Sequence, residues 1–142
     1  MRARLACVAV LATCVGAVAA LVAPATARAA TLWTWPGPAP CDGTLQACID
    51  NAAAGDAVQI VTNGPIDESI SFTKDLDLHA GSGFTPTFSA GRSITALSSA
   101  GSGEKAIRVE GLTLESGEIR VALNGGGHLT AQVIGDTFVR TA

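Results

Sequence analysis

Aromatic side chains are nearly missing from this sequence of 142 residues: there is no tyrosine, and two Trp and four Phe are the whole complement. Gly, Ser, Thr and small aliphatic residues take their place. A globular sandwich draws much of its core from large rings. A narrow core of stacked Val, Ile and Leu needs few, so the shortage favours a slender, layered fold. Motifs that carry chemistry are also lacking. No Gly-x-Ser-x-Gly elbow, His-Glu-x-x-His pair or paired Cys-x-x-Cys occurs, which removes the usual signatures of a serine hydrolase, a zinc protease and a zinc or redox centre. Gly101-Ser102-Gly103-Glu104-Lys105-Ala106 is glycine-rich but lacks the strand-turn-helix setting of a dinucleotide loop. No Asn-x-Ser/Thr acceptor is present.

Residues 1–29 read as a secretory leader. Arg2 and Arg4 open it, Leu5 to Val22 form an apolar run broken only by Thr13 and Gly16, and Ala27-Arg28-Ala29 fits the small-x-small rule for a cut after Ala29. The run is at the short limit for a membrane span, and Cys7 and Cys14 lie too early for a lipid anchor. The expectation is a secreted, extracellular domain with no membrane attachment after cleavage. Three of the nine bases leave with the leader while all twelve acids stay, leaving six bases and a formal charge of −6. Such a surface disfavours nucleic acid and anionic lipid as partners. It is compatible with cations, and it is also an ordinary aid to solubility.

Only Cys41 and Cys48 remain after the leader. Export makes a disulfide between them the leading reading, worth roughly 2.5 kcal/mol in the chain-entropy model before any strain. Free thiols stay open, and a metal site lacks further ligands nearby.

The chain then divides in order. Residues 30–40 end in Trp35-Pro36-Gly37-Pro38-Ala39-Pro40, and so many prolines exclude a helix or central strand. An extended lead-in is expected, with Trp33 and Trp35 either packing the terminus or offering a sugar-stacking face. Thr44 to Ala54 is a helix: Leu45, Cys48, Ile49, Ala52 and Ala53 share one face, Thr44 or Asp42 can cap the start, and Gly55 can end it. Short strands follow at 56–61, 69–72, 75–79, 94–97 and 106–109. The spacing from Leu76-Asp77-Leu78 through Ile94–Leu97 to Leu112-Thr113-Leu114 suggests shorter coils early and a longer one later.

The strongest pattern lies at the end. Val109-Glu110-Gly111-Leu112-Thr113-Leu114 returns as Val133-Ile134-Gly135-Asp136-Thr137-Phe138 in the shared frame Val-x-Gly-x-Thr-(Leu/Phe). Between the copies lies the alternating Glu118-Ile119-Arg120-Val121-Ala122-Leu123. A period in the twenties built of short strands means a stacked solenoid. Residues 41–142 are therefore expected to form one all-β domain of about four coils, with the helix covering its first open coil.

At this point the chain resembles the right-handed parallel β-helix proteins of the pectin-lyase-like superfamily. The resemblance rests on Thr44-Leu45-Gln46-Ala47-Cys48-Ile49-Asp50-Asn51-Ala52, on Gly55-Asp56-Ala57-Val58 and on Gly135-Asp136-Thr137-Phe138. It implies a capping helix, and it implies an Asn ladder at a coil corner, where Asp136 departs from the pattern. The superfamily spans polysaccharide lyases, hydrolases, tailspikes and non-catalytic surface proteins, so it specifies fold better than function.

A lyase would need clustered carboxylates for Ca²⁺ and a basic group; a hydrolase would need two acids a set distance apart. The best set is Asp75, Asp77 and His79 at i, i+2, i+4 on one strand face. Asp75 and Asp77 are the metal candidates, and all three are the catalytic candidates. A plain solvated face is the commoner meaning of such a pattern. Glu110, Glu115 and Glu118 with Arg108 and Arg120 form a mixed cluster that suits solubility and edge protection, and His128 follows three glycines as a turn residue. The sequence stops soon after Phe138, so a C-terminal truncation, or end-to-end self-association of a bare last coil, is expected. The first-ranked reading is a secreted scaffold or surface contacting acidic or neutral polysaccharide, with no cofactor. The N-terminal part of a polysaccharide lyase or glycoside hydrolase, with Ca²⁺ only in that case, comes second. A cell-surface adhesion segment comes third.

Overall fold

The computed structural model describes residues 28–99, 104–124 and 128–140. The chain runs β1 (Leu32–Trp35), α1 (Leu45–Asn51), β2 (Asp56–Ile60), β3 (Pro65–Ile66), β4 (Ile70–Phe72), β5 (Leu76–Ala80), β6 (Thr87–Phe88), β7 (Ser93–Ser99), β8 (Glu104–Glu110), β9 (Thr113–Glu115), β10 (Glu118–Asn124), β11 (His128–Ile134) and β12 (Thr137–Val139). These strands form three parallel sheets, ordered β1-β2-β5-β8-β11, β3-β6-β9-β12 and β4-β7-β10. The coils β2–β4, β5–β7 and β8–β10 each contribute one strand to each sheet in turn, and β11 and β12 belong to the next, giving a β-solenoid of about four turns. The expected leader, residues 1–29, lies outside the described residues except for Arg28 and Ala29. No helix among the described residues is long and apolar enough to cross a membrane.

The repeat of 109–114 at 133–138 is a structural one. Val133 pairs with Val109, Thr137 with Thr113 and Phe138 with Leu114. Its glycine has a geometric cause: Gly111 and Gly135 have φ of 72° and 65°, the left-handed region that a side chain resists. Both sit at the corner between the long sheet and the second one. The spacing argument for coil growth is corrected. Leu76–Leu78, Ile94–Leu97 and Leu112–Leu114 occupy three different sheets and are not equivalent positions. In the long sheet the equivalent positions are Asp56, Leu76 and Ile107, paired in that order, so the coil after Leu76 is the longer of the two.

Inward positions build apolar columns, mostly aliphatic. Val58, Leu78 and Val109 stack in one, and Ile66, Phe88 and Leu114 in another, all buried. Parallel strands about 4.8 Å apart let each side chain cover the one below, which is why so few rings suffice. At the last coil the columns continue to Val133 and Phe138, 48% and 56% exposed.

The other end is closed. The helix is shorter than its periodicity suggested, ending at Asn51; Ala52 caps it in an extended conformation, and Gly55 belongs to the turn into β2. Thr44 Oγ1 accepts from Ala47 N at 3.1 Å, and Leu45, Cys48, Ile49 and Ala52 are buried as expected. The first coil holds the helix at both ends. Glu68 accepts from the Leu45 and Gln46 amides at 2.6 and 3.2 Å, and Lys74 Nζ donates to the carbonyls of Asp50 and Ala52. Acid at the N-terminus and base at the C-terminus also match the helix dipole. The Gln46 side chain completes the edge of β4, accepting from Ser71 N at 2.8 Å and donating to Ser71 O at 2.9 Å. One amide thus replaces a missing strand there. Cys41 and Cys48 form a disulfide with their Cα atoms 4.4 Å apart, tying the lead-in to the helix.

The lead-in is more than a linker. Leu32–Trp35 pairs in parallel with Ala57–Ile60 as the first strand of the long sheet. The prolines begin only after it, so an edge strand is allowed where a central one is not.

Candidate functional site on the long sheet

The outward face of the long sheet carries the polar side chains singled out in the sequence, arranged by register. Ala57, Asp77, Arg108 and Gln132 lie side by side on β2, β5, β8 and β11, and Gln59, His79, Glu110 and Ile134 form the next row. Asp77 and His79 share a face as expected. Asp75 precedes β5 and lies in the same depression.

Asp77 is enclosed by partners. Its Oδ2 accepts from Arg108 Nη1 at 3.2 Å and its Oδ1 lies 3.2 Å from His79 Nδ1. Arg108 also bridges to Glu110 through Nη2. The side chains of Arg108 and Asp77 are 41% and 33% exposed, so this is a surface network whose members largely neutralise one another. The mixed cluster expected from Glu110, Glu115, Glu118, Arg108 and Arg120 does not assemble as one group. Glu115 lies on the second sheet, and Glu118 pairs with Arg120 at 3.2 Å on the third. His128 is corrected from turn residue to the first residue of β11, exposed and in register with Glu104.

Beside the network is a cavity of about 360 Å³ whose lining includes Gly55, Asp75, Asp77, Ala106, Arg108 and Thr130. Its origin is a step in the sheet. β5 starts at Leu76, opposite Ile107, while β8 and β11 begin earlier in the register, at Glu104 and His128. Gly55 and Ala106 have no bulk to fill the space. A cavity this size lies at the lower end of the small-ligand range. Among the described residues no group of three or more His, Cys, Asp or Glu side chains is placed to hold a metal ion. Asp75 and Asp77 fall short of the six to eight oxygens that calcium takes, and both oxygens of Asp77 are engaged.

Asp56, which the strand pattern left unremarked, is the one buried charged residue among those described. It accepts from Thr31 N at 2.9 Å, Trp33 Nε1 at 2.9 Å and Ala53 N at 2.8 Å, with Arg28 Nη2 at 3.4 Å. Burial raises its pKa, but the hydrogen bonds from Trp33, Thr31 and Ala53 and the charge of Arg28 outweigh it, leaving the carboxyl at about 2. Its inward parity with Val58 and Ile60 was the available signal. Trp33 and Trp35 pack against the core, their indole N–H groups bound to Asp56 and to Gly43 O. Both are half-buried, and packing of the terminus onto the core is the role these contacts describe.

Asp136, at the corner where an Asn ladder was considered, accepts from Leu112 N at 2.7 Å. The preceding coil has Leu112 at the matching corner, so no ladder of like side chains can form there. Burial pushes the Asp136 carboxyl above its usual range and Glu110 adds to this, while the Leu112 amide opposes it.

Comparisons of the chain with protein families, with curated proteins and with solved structures found no match.

Proposed function

We propose that the chain is a secreted β-solenoid module that presents the outer face of its long sheet to polysaccharide and performs no chemistry of its own. The supporting observation is the closed network on that face. Asp77, the best-placed acid, holds both Arg108 and His79, and Arg108 is shared with Glu110. A proton-transfer group must be free to exchange its proton with substrate. The Arg108 guanidinium is likewise committed, to the carboxylates of Asp77 and Glu110. Regularly spaced planar side chains on a rigid sheet, by contrast, suit a polymer with many hydroxyl groups. Pull-down on immobilised glycans tests this reading: retention is expected for the chain and reduced retention for Arg108→Ala, and no retention on any glycan would count against it.

A second reading, the N-terminal part of a polysaccharide lyase in the manner of the pectin-lyase-like superfamily, draws on Asp75, Asp77 and Arg108 lining one cavity. A depolymerisation assay on pectate and other acidic glycans, with and without Ca²⁺, separates the two. Cleavage that disappears in Asp77→Ala would establish the lyase. The scaffold reading expects none.

A further inference from the structure

We infer that Asp56 is a docking site for the new N-terminus of the processed chain: after a cut at Ala29, the α-ammonium of Ala30 replaces Arg28 beside the buried carboxylate and fastens β1 to the long sheet. The inference rests on the proposed secretion, because the cut is the one expected of the leader. Three observations combine. The acceptor is built and buried. Asp56 is 1% exposed, and uncharged N–H groups of Thr31, Trp33 and Ala53 reach its carboxylate at 2.8–2.9 Å. Its charged partner is Arg28, at 3.4 Å and 58% exposed, which belongs to the expected leader and departs with it. Taking away one member of such a pair is destabilising unless another cation follows it. The second observation is distance. Thr31 N lies 2.9 Å from Asp56 Oδ1. The nitrogen of Ala30 precedes it by three covalent bonds, which together span less than about 4 Å. The cut turns that nitrogen into an ammonium with three donors. The third is anchoring. Thr31 also accepts from Ala57 N at 2.9 Å through its carbonyl, so the residue after Ala30 is fixed on both sides and holds the ammonium near the carboxylate. The surrounding charges agree. Asp75, whose carbonyl accepts from Gly55 N, adds a second acid close to the turn into β2, while the nearby cation, Lys74, is directed to the carbonyls of Asp50 and Ala52.

The test uses the chain as the cut would leave it, residues 30–142, prepared with a free N-terminus and with an Nα-acetylated one. Mass spectrometry of exported material first reads where the chain begins, and Ala30 is expected. An ammonium held by a carboxylate has a raised pKa, so its stabilisation is complete below the unfolded value and is lost as pH rises through the folded one. NMR titration should place the Ala30 amine at least half a pH unit above the ordinary range of about 7.7–8.0, and Asp56→Asn should return it to that range. At pH 7 the free-amine chain should melt about 2–5 °C above the acetylated one. The gap should close between about pH 8 and pH 10. Should Asp56→Asn fail to fold, the comparison of free and acetylated chains still decides. Equal melting temperatures at pH 7 together with an amine in its ordinary range overturn the inference and leave the secretion reading intact. Export with a first residue other than Ala30, or no export, overturns the inference together with the reading beneath it.

Discussion

Asp56 holds three separate segments at one carboxylate. Thr31 and Trp33 come from the lead-in, Ala53 follows the helix, and Asp56 itself opens β2. Removing it leaves three donors without their acceptor. Asp56→Ala is therefore expected to cost about 2–4 kcal/mol in urea unfolding. The pH dependence has a definite sign. The folded pKa, about 2, lies below the ordinary carboxyl value of 3.8, so the stabilisation is complete above the unfolded pKa. It is lost as pH falls from about 4 towards 2. Melts of the wild type across that window should show the loss, and Asp56→Asn, less stable at neutral pH, should show a flatter profile. Asp136 works in the opposite direction. Its raised pKa means that ionisation opposes folding, so the stabilisation is present at low pH and fades as pH rises through the folded value. Asp136→Asn keeps an acceptor for the Leu112 amide and should raise stability at pH 7 by a few tenths to about 1 kcal/mol. A drop on that substitution would show that the charge itself is needed at the corner.

Among the elements, the helix is the one that cannot stand alone. It is too short to persist as an isolated helix in water, and its contacts with the first coil include polar ones at defined atoms. Gln46 supplies both the donor and the acceptor that Ser71 would otherwise find in another strand. Gln46→Ala should destabilise the domain by about 1–2 kcal/mol and leave the edge of β4 open to pairing with another chain. Hydrogen exchange at the Ser71 amide would report the change directly. The Cys41–Cys48 bridge acts on the same cap. Replacing both residues by Ser should lower stability by roughly 2.5 kcal/mol or less, since the closed loop is short. Gly111 is the corresponding constraint at the coil corner. Gly111→Ala must hold a side chain at φ 72° and within 3.2 Å of Ala80 Cβ, so a loss of about 1–2 kcal/mol is expected in the same measurement.

Across the whole molecule the two ends differ. One is closed by β1, α1 and the disulfide. At the other, Val133, Ile134, Phe138 and Val139 are all more than 40% exposed. Exposed apolar side chains beside unpaired strand edges promote association. The 142-residue chain is expected to self-associate in a concentration-dependent way, with Val133→Lys and Phe138→Lys reducing the effect. Light scattering that finds a stable monomer across the range would remove this expectation.

The division between what was legible and what was not follows from range. The repeat of 109–114 at 133–138, the apolar stripe of the helix and the alternation of 75–79 are local patterns. Burial imposes such patterns wherever a strand or helix has one covered face, and they sufficed for the solenoid and its cap. The face shared by Asp77 and His79 followed from period two alone. Partners could not be read this way. Asp77 and Arg108 stand a whole coil apart in the chain, and their pairing depends on how long that coil happens to be. The same coil outruns the one before it, and the excess makes the step and therefore the cavity. For Trp33 the sequence allows either packing of the terminus or an exposed ring, and it takes the neighbouring strand to supply the partner of its indole N–H, Asp56. Periodicity alone determined that this chain stacks short strands behind an amphipathic helix, because each repeat carries its own burial pattern. Tertiary structure decided which polar groups meet, because register between coils depends on connection lengths that no local pattern encodes.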